Sequence, residues 1–116
     1  MIRKIRKQFE EIRDRKHHRF DDFDPIIRRC LRGYAHLFPN QRINMVGSKV
    51  VYHFNVEGVN PISLEKEHGS REFVPRYYAK LAMIGIEDVL SFIEANAGAE
   101  TGSEEVEDNE QQGNPN

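Results

Sequence analysis

The fold is decided by residues 49–56, which read KVVYHFNV and carry the clearest strand pattern in the chain. β-Branched and aromatic residues favour extended backbone, and alternation along a strand puts Val50, Tyr52 and Phe54 on one face. The residues between them belong to the other face, and these are Lys49, Val51, His53 and Asn55. We therefore predict a strand with one largely apolar face and one largely polar face.

Shorter strand patterns flank this segment on both sides. Ile43 and Met45 alternate with polar neighbours before a turn at Gly47-Ser48, and residues 62–65 alternate again after the loop 57–61. Both connections are short and contain glycine, which accepts the positive φ of tight turns. The three patterns together predict a three-stranded antiparallel meander.

Two helices are predicted before the strands. Apolar residues recur at helical spacing from Ile2 to Ile12, which predicts an amphipathic helix over residues 2–20. A second helix is predicted to begin at Asp24-Pro25, since aspartate caps free N–H groups and proline suits the first helical position. That helix ends at Gly33 or a little beyond.

Two more helices are predicted after the strands. Pro75 suits the first turn of a helix that Gly85 interrupts, and the apolar spacing from Ile86 to Ile93 predicts a last helix. This helix should end near residues 96–98, where glycine and asparagine favour termination.

The chain is therefore divided into three parts. Residues 1–22 are predicted to be a basic amphipathic extension, and residues 23–97 an α+β domain of helix, three-stranded antiparallel sheet and helices. Residues 98–116 consist mainly of acidic residues, Gly, Ser, Asn and Gln, so we expect a disordered tail.

A net charge of −2 conceals a strong asymmetry between the two ends. Residues 1–20 hold eight Lys/Arg against three acids, whereas residues 99–116 hold six acids and no Lys/Arg. Two interpretations of the first helix remain open: a basic arm for nucleic-acid phosphates, or a solvated helix docked on the domain or on a second copy. The tail either competes with nucleic acid for basic surfaces or only solubilises the chain.

Composition excludes several classes of protein. No apolar run approaches the length of a membrane span, and the N-terminus is too charged for the apolar core of a signal peptide. Cys30 is the only cysteine, so no internal disulfide can form, and a cytoplasmic location is expected. His17-His18 lacks a third ligand nearby, and we expect neither a metal nor a cofactor.

Two segments carry a resemblance to a known family. Residues 47–53 read GSKVVYH, and residues 68–75 read HGSREFVP before a closing helical part with a turn at Gly85. With the order helix, three strands, helix, residues 24–95 resemble the HicA (YcfA-like) family of small toxin ribonucleases. The resemblance implies a fold like that of double-stranded-RNA-binding domains.

The resemblance also implies which residues form the site. The family's catalytic histidine falls at Lys49, and a lysine supplies no base at neutral pH unless its pKa is depressed. His68 is then the candidate for proton transfer and the one predicted catalytic residue. Side chains expected to contact RNA are Ser48, Lys49, His53, Arg71 and Arg76. We therefore expect binding of double-stranded or structured RNA, with weak or lost ribonuclease activity.

Two alternatives from other functional classes remain. The chain could be an active, metal-independent endoribonuclease that cleaves mRNA through His68. It could instead be a protein-interaction module that pairs with an antitoxin-like protein or with itself as a homodimer. Neither alternative involves a membrane.

Overall fold

The computed structural model describes residues 1–65 and 73–101, with side chains up to Asn96. Within these ranges the chain forms three α-helices, one short 3-10 turn and three strands. In chain order the elements are α1 (Ile2–Arg13), α2 (Phe20–Gly33), the 3-10 turn (Ala35–Leu37), β1 (Arg42–Val46), β2 (Lys49–His53), β3 (Ile62–Glu65) and α3 (Arg76–Thr101). The predicted α+β class, with an antiparallel sheet of three strands, is confirmed.

The sheet is an open meander in the order β1-β2-β3, with β2 in the centre. Ile43 pairs with Tyr52 across the first hairpin, and Lys49 pairs with Glu65 across the second. The first turn contains Gly47 at φ 64°, a backbone conformation that glycine adopts without steric cost. β2 stops at His53, three residues short of the predicted strand, and Asn55 follows it with φ 55°.

The two faces of β2 differ as predicted. Val50 and Tyr52 are buried, as is Phe54 directly after the strand, whereas Lys49 is exposed and His53 is half-buried. The buried face contributes to a single apolar core that also includes residues of all three helices. The helices therefore cover one face of the sheet, and the opposite face carries its more accessible side chains.

The first predicted helix is wrong in its length, because α1 ends at Arg13 and a separate helix begins at Phe20. The cause is a start signal upstream of the predicted one: the carboxylate of Asp22 accepts a hydrogen bond from the Arg19 N–H at 2.8 Å. Phe20 is also buried. Pro25 consequently lies inside α2 and not at its first position.

The N-terminal helix α1 is docked on the rest of the structure. Ile5 and Phe9 are almost completely buried in the common core. On the flank of α1, the guanidinium of Arg6 contacts Glu87 at 2.7 Å and Glu94 at 2.8 Å, both on α3. The predicted extension 1–22 thus contributes directly to the core and to ion pairs with α3.

The predicted break at Gly85 is also wrong, since α3 runs without interruption from Arg76 to Thr101. A Cβ atom built on Gly85 would lie 2.7 Å from Cγ1 of Ile62 on β3. Glycine is needed here because the helix approaches the sheet closely, not because the helix ends. The helix also continues past the end predicted near residues 96–98.

The predicted disordered tail lies mainly outside the described residues, which end at Thr101. In the part of the chain that is described, no helix combines the length and apolar character needed to cross a membrane.

Candidate nucleic-acid interface

A buried histidine organises the connection between α1 and α2. His18 is only 3% exposed, and its Nε2–H donates to the carbonyl oxygen of Ile12 at 2.6 Å. Its ring stacks on Phe23 with 5.1 Å between the ring centroids. The polar atoms of a buried imidazole need hydrogen-bond partners, so this bond fixes the conformation of the loop between the two helices.

The same loop receives the chain that leads into α3. The Val74 N–H donates to the carbonyl oxygen of His18 at 2.7 Å, and Arg19 forms an isolated antiparallel bridge with Phe73. The Arg19 guanidinium lies 4.7 Å from the centroid of the Phe73 ring, within cation–π range. These contacts place the first turn of α3 beside the loop between α1 and α2.

A basic groove of about 410 Å³ lies between that loop and α3. Its apolar part comes from Val74, Ala79 and Met83. Its cationic lining consists of Arg13, Arg15, Lys16, Arg76 and Lys80, and Asp14 is the one acidic side chain in the lining. The groove also lies at the N-terminus of α3, where the helix dipole favours negative charge.

Most of these cations are available to a ligand. Arg15 makes an ion pair with Asp22 at 3.0 Å. Within the described parts of the chain, the other four cations of the lining make no ion pair. Guanidinium and ammonium groups bind phosphate oxygens through charge-assisted hydrogen bonds. The basic groove is therefore suited to a polyanion.

The residues predicted to bind RNA fall into two separate places. Lys49 and His53 lie on the accessible face of the sheet, and Ser48 lies in the turn beside them, where its hydroxyl donates to the Glu65 carboxylate. Arg76 lies in the basic groove. Arg71 and the predicted catalytic residue His68 lie outside the described residues.

The helix predicted over residues 2–20 includes the cations at positions 13–16, and Lys80 is not among the predicted site residues. The excess of basic residues in 1–20 was the signal that could have pointed to the groove. It could not show that a loop brings these residues against α3, because this depends on the buried contacts of His18 and on the strand-like pairing of residues 73–74.

The Cys30 thiol and the Tyr52 hydroxyl are buried outside the groove and are unreactive. Burial raises the pKa of the Cys30 thiol to about 12, which leaves the sulfur protonated and unreactive at neutral pH. Burial raises the pKa of Tyr52 as well, and its hydrogen bond to Asp24 at 2.5 Å acts in the same direction. These groups stabilise the core and offer no nucleophile.

Among residues 1–65 and 73–96, no three His, Cys, Asp or Glu side chains converge as metal ligands would. No protein-family model, curated protein or solved structure matches this chain.

Proposed function

We propose that this chain is an RNA-binding protein of the HicA-like toxin–antitoxin type, with weak or lost ribonuclease activity. The observation that carries the proposal is the basic groove, in which four cations without an ion pair among the described residues surround one concave surface. Phosphate contacts supply most of the affinity of such interfaces.

The proposal has a second support in the order of elements. The order α2, β1, β2, β3, α3 is the order of the double-stranded-RNA-binding-domain-like architecture, which we propose for this chain. The segments GSKVVYH and HGSREFVP resemble the family's two motifs. In this family setting an antitoxin-like protein would be the natural partner.

The proposal of weak or lost RNA cleavage rests on Lys49, which stands at the position of the catalytic histidine in the HicA-like family. Its side chain is exposed on the sheet and makes no ion pair with any described residue. The ammonium group of a lysine can bind a phosphate, but it cannot take the proton of a ribose 2′-OH.

The direct test is the salt dependence of RNA binding, measured by fluorescence anisotropy with a labelled RNA hairpin. Four phosphate contacts predict a slope of log K against log salt concentration of about −3 to −4. Arg76→Ala should reduce the slope by about 1 and weaken binding similarly for unrelated hairpins.

Arg32→Ala is the matched control. Arg32 is an exposed cation at the C-terminal end of α2, away from the groove, so its removal should leave the salt slope unchanged. Absence of binding at low salt, or equal effects of the two variants, would refute RNA binding at the groove. The same labelled hairpin reports cleavage on a denaturing gel. Efficient cleavage that His68→Ala abolishes would favour the active ribonuclease instead.

A further inference from the structure

The basic groove has an exposed aromatic ring among its cations. His17, in the loop between α1 and α2, is exposed and lines the groove. Its ring packs on the ring of Phe73, with 5.1 Å between the two centroids and 39° between the two planes. Phe73 is 54% exposed and is not part of the lining. The Phe73 ring therefore supports the His17 ring from outside the groove.

The backbone pairing between the loop and residue 73 explains why these rings meet. Arg19 and Phe73 are partners in an antiparallel bridge, so their side chains project to one side of it. His17 lies two positions before Arg19, and side chains alternate along an extended segment, so His17 projects to the same side. Phe73 accordingly contacts both the His17 ring and the Arg19 guanidinium. The side chain of His18, between them in sequence, is buried.

A supported aromatic ring beside several cations is a combination that binds unpaired nucleotides. Splayed-out bases stack on aromatic side chains, histidine included, while cations hold the backbone phosphates. In the basic groove Lys16 directly precedes His17, and Arg76 and Lys80 lie on the facing turns of α3. A base on the His17 ring therefore has cations for its phosphates on both sides of the groove.

We propose that the basic groove binds an unpaired nucleotide of the RNA, with its base stacked on His17 and its flanking phosphates held by Lys16, Arg76 and Lys80. This inference rests on the proposed function. It narrows the ligand from structured RNA in general to RNA that presents a single-stranded end, bulge or loop.

The size and lining of the groove favour an unpaired nucleotide over a duplex. Its volume of about 410 Å³ lies within the range of roughly 300–1,000 Å³ of sites that enclose one small ligand. In a duplex the faces of the bases are covered by neighbouring base pairs, so the protein reaches mainly phosphates and 2′-hydroxyls. The apolar part of the lining, from Val74, Ala79 and Met83, has a use only when a base enters.

The test compares the affinities of three labelled RNA probes for the full chain by fluorescence anisotropy. The probes are a blunt duplex, the same duplex with a 3′ overhang of adenosines, and the same duplex with an equally long abasic overhang. The two overhangs carry the same charge, so stacking of the bases distinguishes them. We expect the adenosine overhang to bind at least about fivefold more tightly than the abasic one, the lower end of what one stacked base contributes.

Variants of His17 assign this preference to the ring. His17→Ala should remove the preference for adenosine, and His17→Phe should retain it, because phenylalanine keeps an aromatic ring. His36→Ala is the matched control, since His36 is an exposed histidine in the 3-10 turn, outside the lining, and its loss should leave the preference unchanged. A purely electrostatic effect of His17 would change the affinities of both overhangs equally. Circular dichroism checks that each variant retains its helices.

Equal affinities for the adenosine and abasic overhangs overturn this inference and leave RNA binding at the groove in place. A preference that His17→Ala leaves unchanged, or that His17→Phe loses, also overturns it. If none of the three probes binds at low salt, the proposed function and this inference both fail.

Discussion

The contact between Gly85 and Ile62 shows how one residue sets the approach of a helix to a sheet. A Cβ at position 85 would lie 2.7 Å from Cγ1 and 3.0 Å from Cδ1 of Ile62, which is itself buried. Gly85→Ala gains about 1 kcal/mol of helix propensity, but overpacking a core costs roughly 1–3 kcal/mol. We therefore expect Gly85→Ala to lower the free energy of unfolding, measured by urea denaturation.

A double-mutant cycle separates these two contributions. In an Ile62→Ala background the Cγ1 and Cδ1 atoms are absent, so Gly85→Ala should become neutral or stabilising by up to about 1 kcal/mol. If Gly85→Ala stabilises the wild-type chain, Gly85 is not required by the approach of α3 to β3.

At the scale of elements, Arg6 connects α1 to α3 through Glu87 and Glu94. The hydrogen bonds that Arg6 donates to Glu94 and Glu87 raise the pKa of Arg6, and the one it donates to Glu87 lowers the pKa of Glu87. A lowered carboxyl pKa stabilises the fold above the ordinary value of 4.5. This contribution is lost as the pH falls through the still lower pKa of the folded state.

Arg6→Met keeps much of the apolar stem and removes the charge. We expect it to lower the free energy of unfolding by about 1 kcal/mol at pH 7, because partly exposed pairs are screened by solvent. The difference from wild type should shrink below pH 4.5, the ordinary carboxyl value. Arg3→Met is the control, since Arg3 is exposed and makes no ion pair with a described residue. A difference that does not change with pH would contradict the role of Glu87.

At the scale of the whole molecule, α1 completes the core. Its apolar face contributes Ile5, Phe9 and Ile12, all at most 5% exposed. Burying three such side chains contributes roughly 5–9 kcal/mol, which approaches the whole stability of a typical domain. Deletion of residues 1–13 should therefore abolish cooperative thermal unfolding, which is measured by circular dichroism.

The control for this deletion is the double variant Lys4→Ala, Lys7→Ala. It removes exposed charge from α1 and leaves the apolar face in place, so its melting temperature should remain close to that of wild type. A shortened chain that melts cooperatively near the wild-type temperature would instead favour the boundary predicted between an extension at 1–22 and a domain at 23–97.

Much of the fold could be predicted because its signals are local. The alternation from Val50 to Phe54 and the glycine at position 47 depend on neighbours in sequence, and both were interpreted correctly. Less of the candidate site could be predicted from the sequence. Arg76 was predicted to contact RNA, and it lies in the groove, but Lys80 was not predicted, since its loop neighbours in the groove come from more than 60 residues earlier.

The sequence by itself determined the α+β class, the strand order and the two faces of β2, because periodicity and turn chemistry act over a few residues. Only the tertiary structure decided that the first predicted helix divides at His18, that Gly85 lies inside a continuous helix, and that five cations line one groove. Each of these depends on contacts between residues distant in sequence. A single side chain pattern cannot distinguish a glycine that ends a helix from one that lets a helix approach a sheet.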